Sequence, residues 1–222
     1  MHTRALLVAT VLGLAGAMLG GEAHATNAWP DSDGIDPYFG YFYTWFDLYP
    51  ADNGHVSWKA YVNGGGAVPT RDALILLDAI DNKWEPLFDY ALVAGGYRQF
   101  DFQGVAHNQF AEASYMRGTQ AEVDYVCQVA NAIACFAPAV IISHSIPGPD
   151  RYVVVTAVLA YGPQVWNQPN NQYFTHAVAH EWGHGFGLGH HSGCTSVMGP
   201  FTCTNIPTPG DVVTALGTVY GY

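Results

Sequence analysis

Apolar residues are distributed unevenly along the chain, and their spacing divides it into segments. Ala5 to Leu19 form an almost unbroken apolar run behind one basic residue, Arg4. The run falls short of the ~20 apolar residues a helix needs to cross a bilayer. Ala23-His24-Ala25 then places small residues where a signal peptidase requires them. The pattern predicts a secretory signal peptide over residues 1–25, removed after Ala25. Residues 26–37 are rich in Pro, Asp and Gly and read as an extended leader. Tyr38 to Tyr49 is dense in aromatics, read as a strand packing its rings inward. His55 to Val62 alternates as a strand does, and Asn63-Gly64-Gly65-Gly66 makes a loop.

Beyond that loop the period changes. Leu74, Leu77, Ile80 and Trp84 recur at helical spacing, with Thr70 as the cap and Pro86 as the stop. Tyr90 to Val93 reads as a short strand before Gly95-Gly96, and residues 97–119 show no clear period. Thr119 to Ala134 returns to helical spacing through Val123, Val126, Val129, Ala130 and Ile133. Ala139 to Ser145 and Tyr152 to Ala160 are apolar and β-branched, joined through Pro147-Gly148-Pro149-Asp150, and predict a hairpin. Pro163 to Asn170 reads as a polar loop. A helix capped by Asn170 or Asn171 then runs to Phe186, with Gly187 and Gly189 to stop it. A short helix is expected over residues 211–216.

Composition narrows the class. Of 222 residues, 50% are hydrophobic and 11% charged, enough for a sizeable core. The net charge is −11 and stays there when Arg4 and Glu22 leave with the signal peptide. That argues against nucleic acid and anionic membrane as partners. The four cysteines, Cys127, Cys135, Cys194 and Cys203, all follow the cleavage site. In an exported chain they suggest two disulfides, and the local pairing joins Cys127 to Cys135 and Cys194 to Cys203. No Cys-x-x-Cys pair favours a cysteine zinc site instead. Asp31-Ser32-Asp33-Gly34-Ile35-Asp36 spaces oxygen donors as a calcium loop does. No glutamate completes an EF-hand there, so a structural Ca2+ is the lesser reading beside a solvated turn.

Chemistry concentrates in His180-Glu181-Trp182-Gly183-His184-Gly185-Phe186-Gly187-Leu188-Gly189-His190. Histidines four apart on a helix share a face and suit one zinc ion. Glu181 lies on the same side and reaches a metal-bound water without being a ligand. A glycine bend at Gly187 lets His190 return as the third ligand. Three nitrogens leave one position open, as catalytic rather than structural zinc sites do. Other histidines make weaker claims. His176 lies one turn earlier on the same face and reads as a surface or supporting residue. His191 adjoins a ligand, and His55, His107 and His144 are isolated.

This segment resembles the extended zinc signature of the metzincin metallopeptidases. Met198, in Thr195-Ser196-Val197-Met198-Gly199-Pro200, resembles that family's Met-turn, an apolar base beneath the metal. The spacing to Met198 and Pro200 is similar to the matrixin branch, and an extra helix before the hairpin to the reprolysin branch. Both stay open, because His191 follows the third ligand where matrixins usually carry Ser and reprolysins Asp. Pro200 occupies the place of the tyrosine ligand of astacins and serralysins, and no cysteine precedes Cys127 to act as a switch. The resemblance implies an α+β catalytic domain over residues 38–222, with a mixed twisted sheet and two or three helices over a small irregular C-terminal lobe. It implies a secreted, monomeric zinc endopeptidase acting on protein or peptide, with Glu181 as general base. The hairpin would offer an edge strand to an extended substrate, and residues 199–205 would shape the pocket beyond the scissile bond. Apart from the resemblance, the protein is expected to be active soon after signal removal, or held briefly by the leader, with Asp31 or Asp33 reaching the zinc as an inhibitory carboxylate. Two other classes compete: a secreted zinc-containing binding protein without catalysis, against which the general base Glu181 argues, and an aromatic-rich carbohydrate-binding module, against which the zinc signature argues.

Overall fold

The computed structural model describes residues 42–44, 55–94, 101–143, 151–186, 188–191, 193–200, 203 and 206–214. Expectations for the signal segment, the leader, the acidic loop at 31–36, His144 and the hairpin turn lie outside those residues.

The architecture is α+β, as the sequence implied. Among the described residues seven strands form one mixed sheet: β1 (Phe42–Thr44), β2 (His55–Val62), β3 (Gly66–Ala67), β4 (Asp101–Gly104), β5 (Ala113–Arg117), β6 (Ala134–Ser143) and β7 (Arg151–Tyr161). β7 pairs in parallel with β1 at its start and with β5 at its end, while antiparallel β6 runs along its other side. β5 pairs in parallel with β2, whose far side carries parallel β4 and antiparallel β3. Among the described residues β6 pairs only with β7, so it is an edge strand. Pro138 fits there, because an edge strand tolerates a residue with no N–H to donate.

The expected hairpin is therefore present, with β6 beginning at Ala134 rather than Ala139. β5 escaped notice because it has no alternation. Ala113, Ser114, Tyr115 and Met116 are all buried, as a strand covered on both faces requires.

Among the described residues six helices accompany the sheet: α1 (Thr70–Ala79), α2 (Glu85–Ala94), α3 (Gln120–Cys127), α4 (Pro163–Trp166), α5 (Asn171–Gly185) and α6 (Pro209–Thr214). A π-helical turn, Ile80–Trp84, joins α1 to α2. Pro86 does not end the first helix. It sits in the opening turn of α2, where a missing N–H costs little. Tyr90 to Val93 consequently belongs to α2 and is not a strand. The buried face of α1 is also turned from the expected one. Asp72, Ile75, Leu76 and Ala79 point inward, while Leu74 and Leu77 are exposed. Asp72 can be buried because Arg117 meets its carboxylate at 2.7 Å and the Tyr161 hydroxyl donates to it at 3.4 Å. α3 has a full capping box between Thr119 and Glu122 and ends earlier than its periodicity suggested. Gln128 takes a left-handed conformation at φ 55°, and the chain turns through Asn131 into β6.

The main core lies between the sheet and the helices α1, α2 and α5, around Trp84, Phe88, Phe102, Tyr115, Trp182 and Phe186. A smaller one, with Met116, Val123, Cys127, Cys135 and Ala160, lies under α3. The Cys127–Cys135 disulfide joins the end of α3 to the start of β6. α5 is anchored by two buried aromatics: Trp84 Nε1 donates to the Ala179 carbonyl at 2.9 Å, and the Tyr115 hydroxyl to the Val178 carbonyl at 3.2 Å.

Candidate metal centre

α5 begins at Asn170, whose side chain accepts from the Gln172 amide at 2.9 Å. From Phe174 to Gly183 every residue is buried, so the helix runs through the protein rather than over it. His180 and His184 sit one turn apart on its last part. The chain then folds back. The amides of Phe186 and Leu188 both donate to the Gly183 carbonyl, at 3.0 and 3.2 Å. This return brings His190 over the helix. Its ring stacks on His180 with centroids 5.2 Å apart and meets His184 edge-on at 4.9 Å.

The three imidazoles offer nitrogens that all lie within 4.8 Å of one another, close enough to hold one metal ion. Backbone carbonyls set two of the rings. His184 Nδ1 lies 2.7 Å from the Leu188 carbonyl, and His180 Nδ1 lies 3.0 Å from the Val197 carbonyl. A carbonyl only accepts, so each Nδ1 carries the proton and each Nε2 keeps its lone pair. His184 Nε2 is buried and has no hydrogen-bond partner. Neutral imidazoles turned inward, with one lone pair left unused, suit a divalent cation that takes nitrogen ligands.

Electrostatics agree with that arrangement. Burial pushes His180 well below the usual imidazole range, with its histidine neighbours adding to the effect. Burial and His190 bring His184 down to about 3. Both rings are therefore neutral, and only neutral imidazole binds metal. Glu181 is 2% exposed, and neither of its oxygens makes a well-formed hydrogen bond. Burial raises its pKa well above the usual carboxylate range, while the backbone amide of Phe136 in β6 partly offsets the rise. A carboxyl so weakly partnered in such surroundings is costly unless a cation or substrate completes it. This carboxyl also raises the Tyr115 pKa, after burial, and Tyr115 supports α5 from β5.

Met198 is 1% exposed and packs under α5 at Gly183. A Cβ at Gly183 would collide with its sulfur and come within 3.3 Å of Trp84 Cζ2. The glycine thus makes room for the methionine. The Met198 carbonyl accepts from the His191 amide at 2.8 Å, tying the turn to the residue after His190. Cys194 and Cys203 form the second disulfide and bracket that turn. His191 points elsewhere, with Nε2 3.0 Å from Thr195 Oγ1. His176 is fully buried behind His180, at 5.8 Å between ring centroids, rather than on the surface. His107 lies in the loop between β4 and β5, outside the cluster.

No family model and no curated protein matches this chain. Among solved structures, the chain is similar to the crystal structure of archaemetzincin from Methanopyrus kandleri. The TM-score is 0.33 and the identity 10%, over 75% of this chain and 97% of that one. At that distance the chemistry of this chain is read from its own residues.

Of His180, Glu181, His184, His190 and Met198, which sequence reasoning gathered, the structure brings the three histidines together, packs Met198 against α5 at Gly183, and buries Glu181 near Phe136 of β6. Sequence reasoning missed Asp211 in α6, whose carboxylate accepts from the Ser196 hydroxyl and from the amides of Val197 and Thr208, at 3.4 and 2.8 Å. The signal was present. Thr208-Pro209-Gly210-Asp211 has the spacing of a capping box, and the Asp211 amide does donate to Thr208 Oγ1 at 3.3 Å.

Proposed function

We propose that this chain is a secreted zinc-dependent endopeptidase, with His180, His184 and His190 holding the metal and Glu181 acting as general base. One observation carries the reading: three imidazoles converge within 4.8 Å at a helix that also buries a carboxylate with no well-formed hydrogen bond. Such a donor set fits Zn2+ with one position left open. A zinc ion bound there would acidify a coordinated water and polarise a carbonyl. Glu181 takes a proton from the attacking water and returns it to the leaving amine. β6 is the nearest sheet edge, and an extended peptide laid beside it would gain backbone hydrogen bonds. Leu188 and Val197 carbonyls keep the imidazoles in register while the substrate enters.

Export is part of the proposal. The apolar start of the chain and two disulfides support it. No helix among the described residues is long and apolar enough to cross a membrane. The mature protein would begin at Thr26, pass through a leader to residue 37, and act as a monomer on protein substrates.

Glu181→Gln tests the reading. The variant keeps the shape of the side chain and removes the base. Zinc content should stay near one ion per chain, and hydrolysis of a denatured protein substrate should fall by ~10² or more. His184→Ala should lose the metal itself. Undiminished hydrolysis in Glu181→Gln, or a parent protein that takes up no zinc, would refute the proposal.

A further inference from the structure

Asp211 carries more hydrogen bonds than a helix cap requires. A capping box needs contacts between its first and fourth residues, and Asp211 makes them with the Thr208 amide and hydroxyl, both at 2.8 Å. The carboxylate also reaches fourteen and fifteen residues back along the chain. Oδ2 accepts from the Val197 amide at 3.4 Å, and Oδ1 from the Ser196 hydroxyl. Asp211 is 6% exposed, so these donors stand in for water that a carboxylate otherwise needs.

Ser196 passes the contact on. Its hydroxyl proton goes to Asp211, which leaves its oxygen to accept from the Met198 amide at 2.9 Å. The Met198 N–H and the Val197 carbonyl belong to the same rigid peptide plane. That carbonyl is the one facing His180 Nδ1 at 3.0 Å. Asp211 thus holds the plane before Val197 through the Val197 amide, and the plane after it through Ser196. A ring fixed at Nδ1 presents Nε2 to the metal in one orientation.

We propose that Asp211 is a positioning residue for the metal centre: by fixing the turn Ser196–Met198 it sets the carbonyl that orients the His180 imidazole. The proposal rests on the reading of the three histidines as a zinc site. It assigns α6 a second role beyond packing, as the support from which one ligand is aimed.

The test compares Asp211→Asn, Ser196→Ala and Thr208→Ala with the parent. Zinc affinity is measured by competition with a chromophoric chelator, ligand geometry by the visible spectrum of the Co2+-substituted protein, and the His180 tautomer by imidazole 15N shifts of the metal-free protein. Asp211→Asn puts a donor where the carboxylate only accepts, and Ser196→Ala cuts the link to the Met198 amide. Both should weaken zinc binding by ~10–100-fold and alter the cobalt bands. Thr208→Ala removes only the capping side and should lower Tm while leaving affinity and spectrum at parental values. If Asp211→Asn does not fold, Ser196→Ala carries the same expectation alone. Parental zinc affinity and cobalt spectrum in both Asp211→Asn and Ser196→Ala would reduce Asp211 to a helix cap and overturn the inference, leaving the peptidase proposal intact. A parent protein that binds no zinc would overturn both.

Discussion

Gly183 lies in a helix interior, where alanine would ordinarily be better by about 1 kcal/mol. Substitution to alanine should nevertheless destabilise this protein. The added methyl would overlap the Met198 sulfur and press on Trp84 Cζ2, 3.3 Å away. Neither neighbour has room to yield. Met198 is 1% exposed, with its amide held by Ser196 and its carbonyl by the His191 amide, and Trp84 is fully buried and bonded to Ala179. Overpacking of this kind costs about 1–3 kcal/mol. Set against the propensity gain, the net loss is about 0–2 kcal/mol. For a chain of this size that lowers Tm by up to several degrees, at roughly 2–4 °C per kcal/mol. Helix propensity alone gives the opposite sign. A thermal melt of the metal-free protein decides between them, and a double-mutant cycle sharpens the result. In a Met198→Ala background the sulfur is gone and only the tighter Trp84 contact remains, so the loss should shrink or turn into a gain of at most about 1 kcal/mol. A Gly183→Ala protein that melts higher than its parent, with Met198 in place, would refute the packing of the turn against α5.

Two further outcomes are expected. Peptide mapping without reduction should recover Cys127 joined to Cys135 and Cys194 joined to Cys203; replacing either pair by serine should cost about 2.5 kcal/mol in urea denaturation, since the loops span eight and nine residues. The metal-free protein should lose stability in acid. His180 and His184 titrate below the 6.5 of free imidazole, so the unfolded chain takes up protons first as pH falls, and stability declines from about pH 6.5 towards the His184 value of about 3. Glu181 acts in the other direction. Its folded pKa lies above 4.5, so its contribution is complete below that pH and fades as pH rises. Denaturation of the metal-free protein across this range should show the decline below pH 6.5, and a flat profile there would contradict neutral buried imidazoles.

The candidate site was legible because its chemistry is local. Eleven consecutive residues contain three histidines, the carboxylate and the glycines, and helical geometry converts that spacing into convergence. The fold was legible where burial is one-sided. β2 and the β6–β7 hairpin could be read, whereas β5 could not, since a strand covered on both faces loses its alternation. α1 misled for a related reason. Leu74 and Leu77 look like core and Asp72 like surface until Arg117, forty-five residues away, is placed against the carboxylate. Long-range polar pairs of that kind leave no periodic trace. The same holds for Asp211, whose capping-box spacing was visible but whose reach to Val197 was not.

The candidate metal site thus depends on two kinds of constraint with different sequence ranges. His184 is oriented within its own return turn, by Leu188 four residues on. His180 is oriented across seventeen residues, by a carbonyl whose peptide plane is held from α6. Glycine makes both possible. Gly183 lets Met198 approach the helix between the two ligands, and Gly199, which has no space for a side chain beside the Gly193 carbonyl, lets the turn close against the loop after His190. A bulkier residue at Gly183 would make the helix more stable in isolation and would hold the turn away from His180. Gly183, which weakens α5 as a helix, is therefore what allows the Met198 turn to pack beneath the candidate metal site.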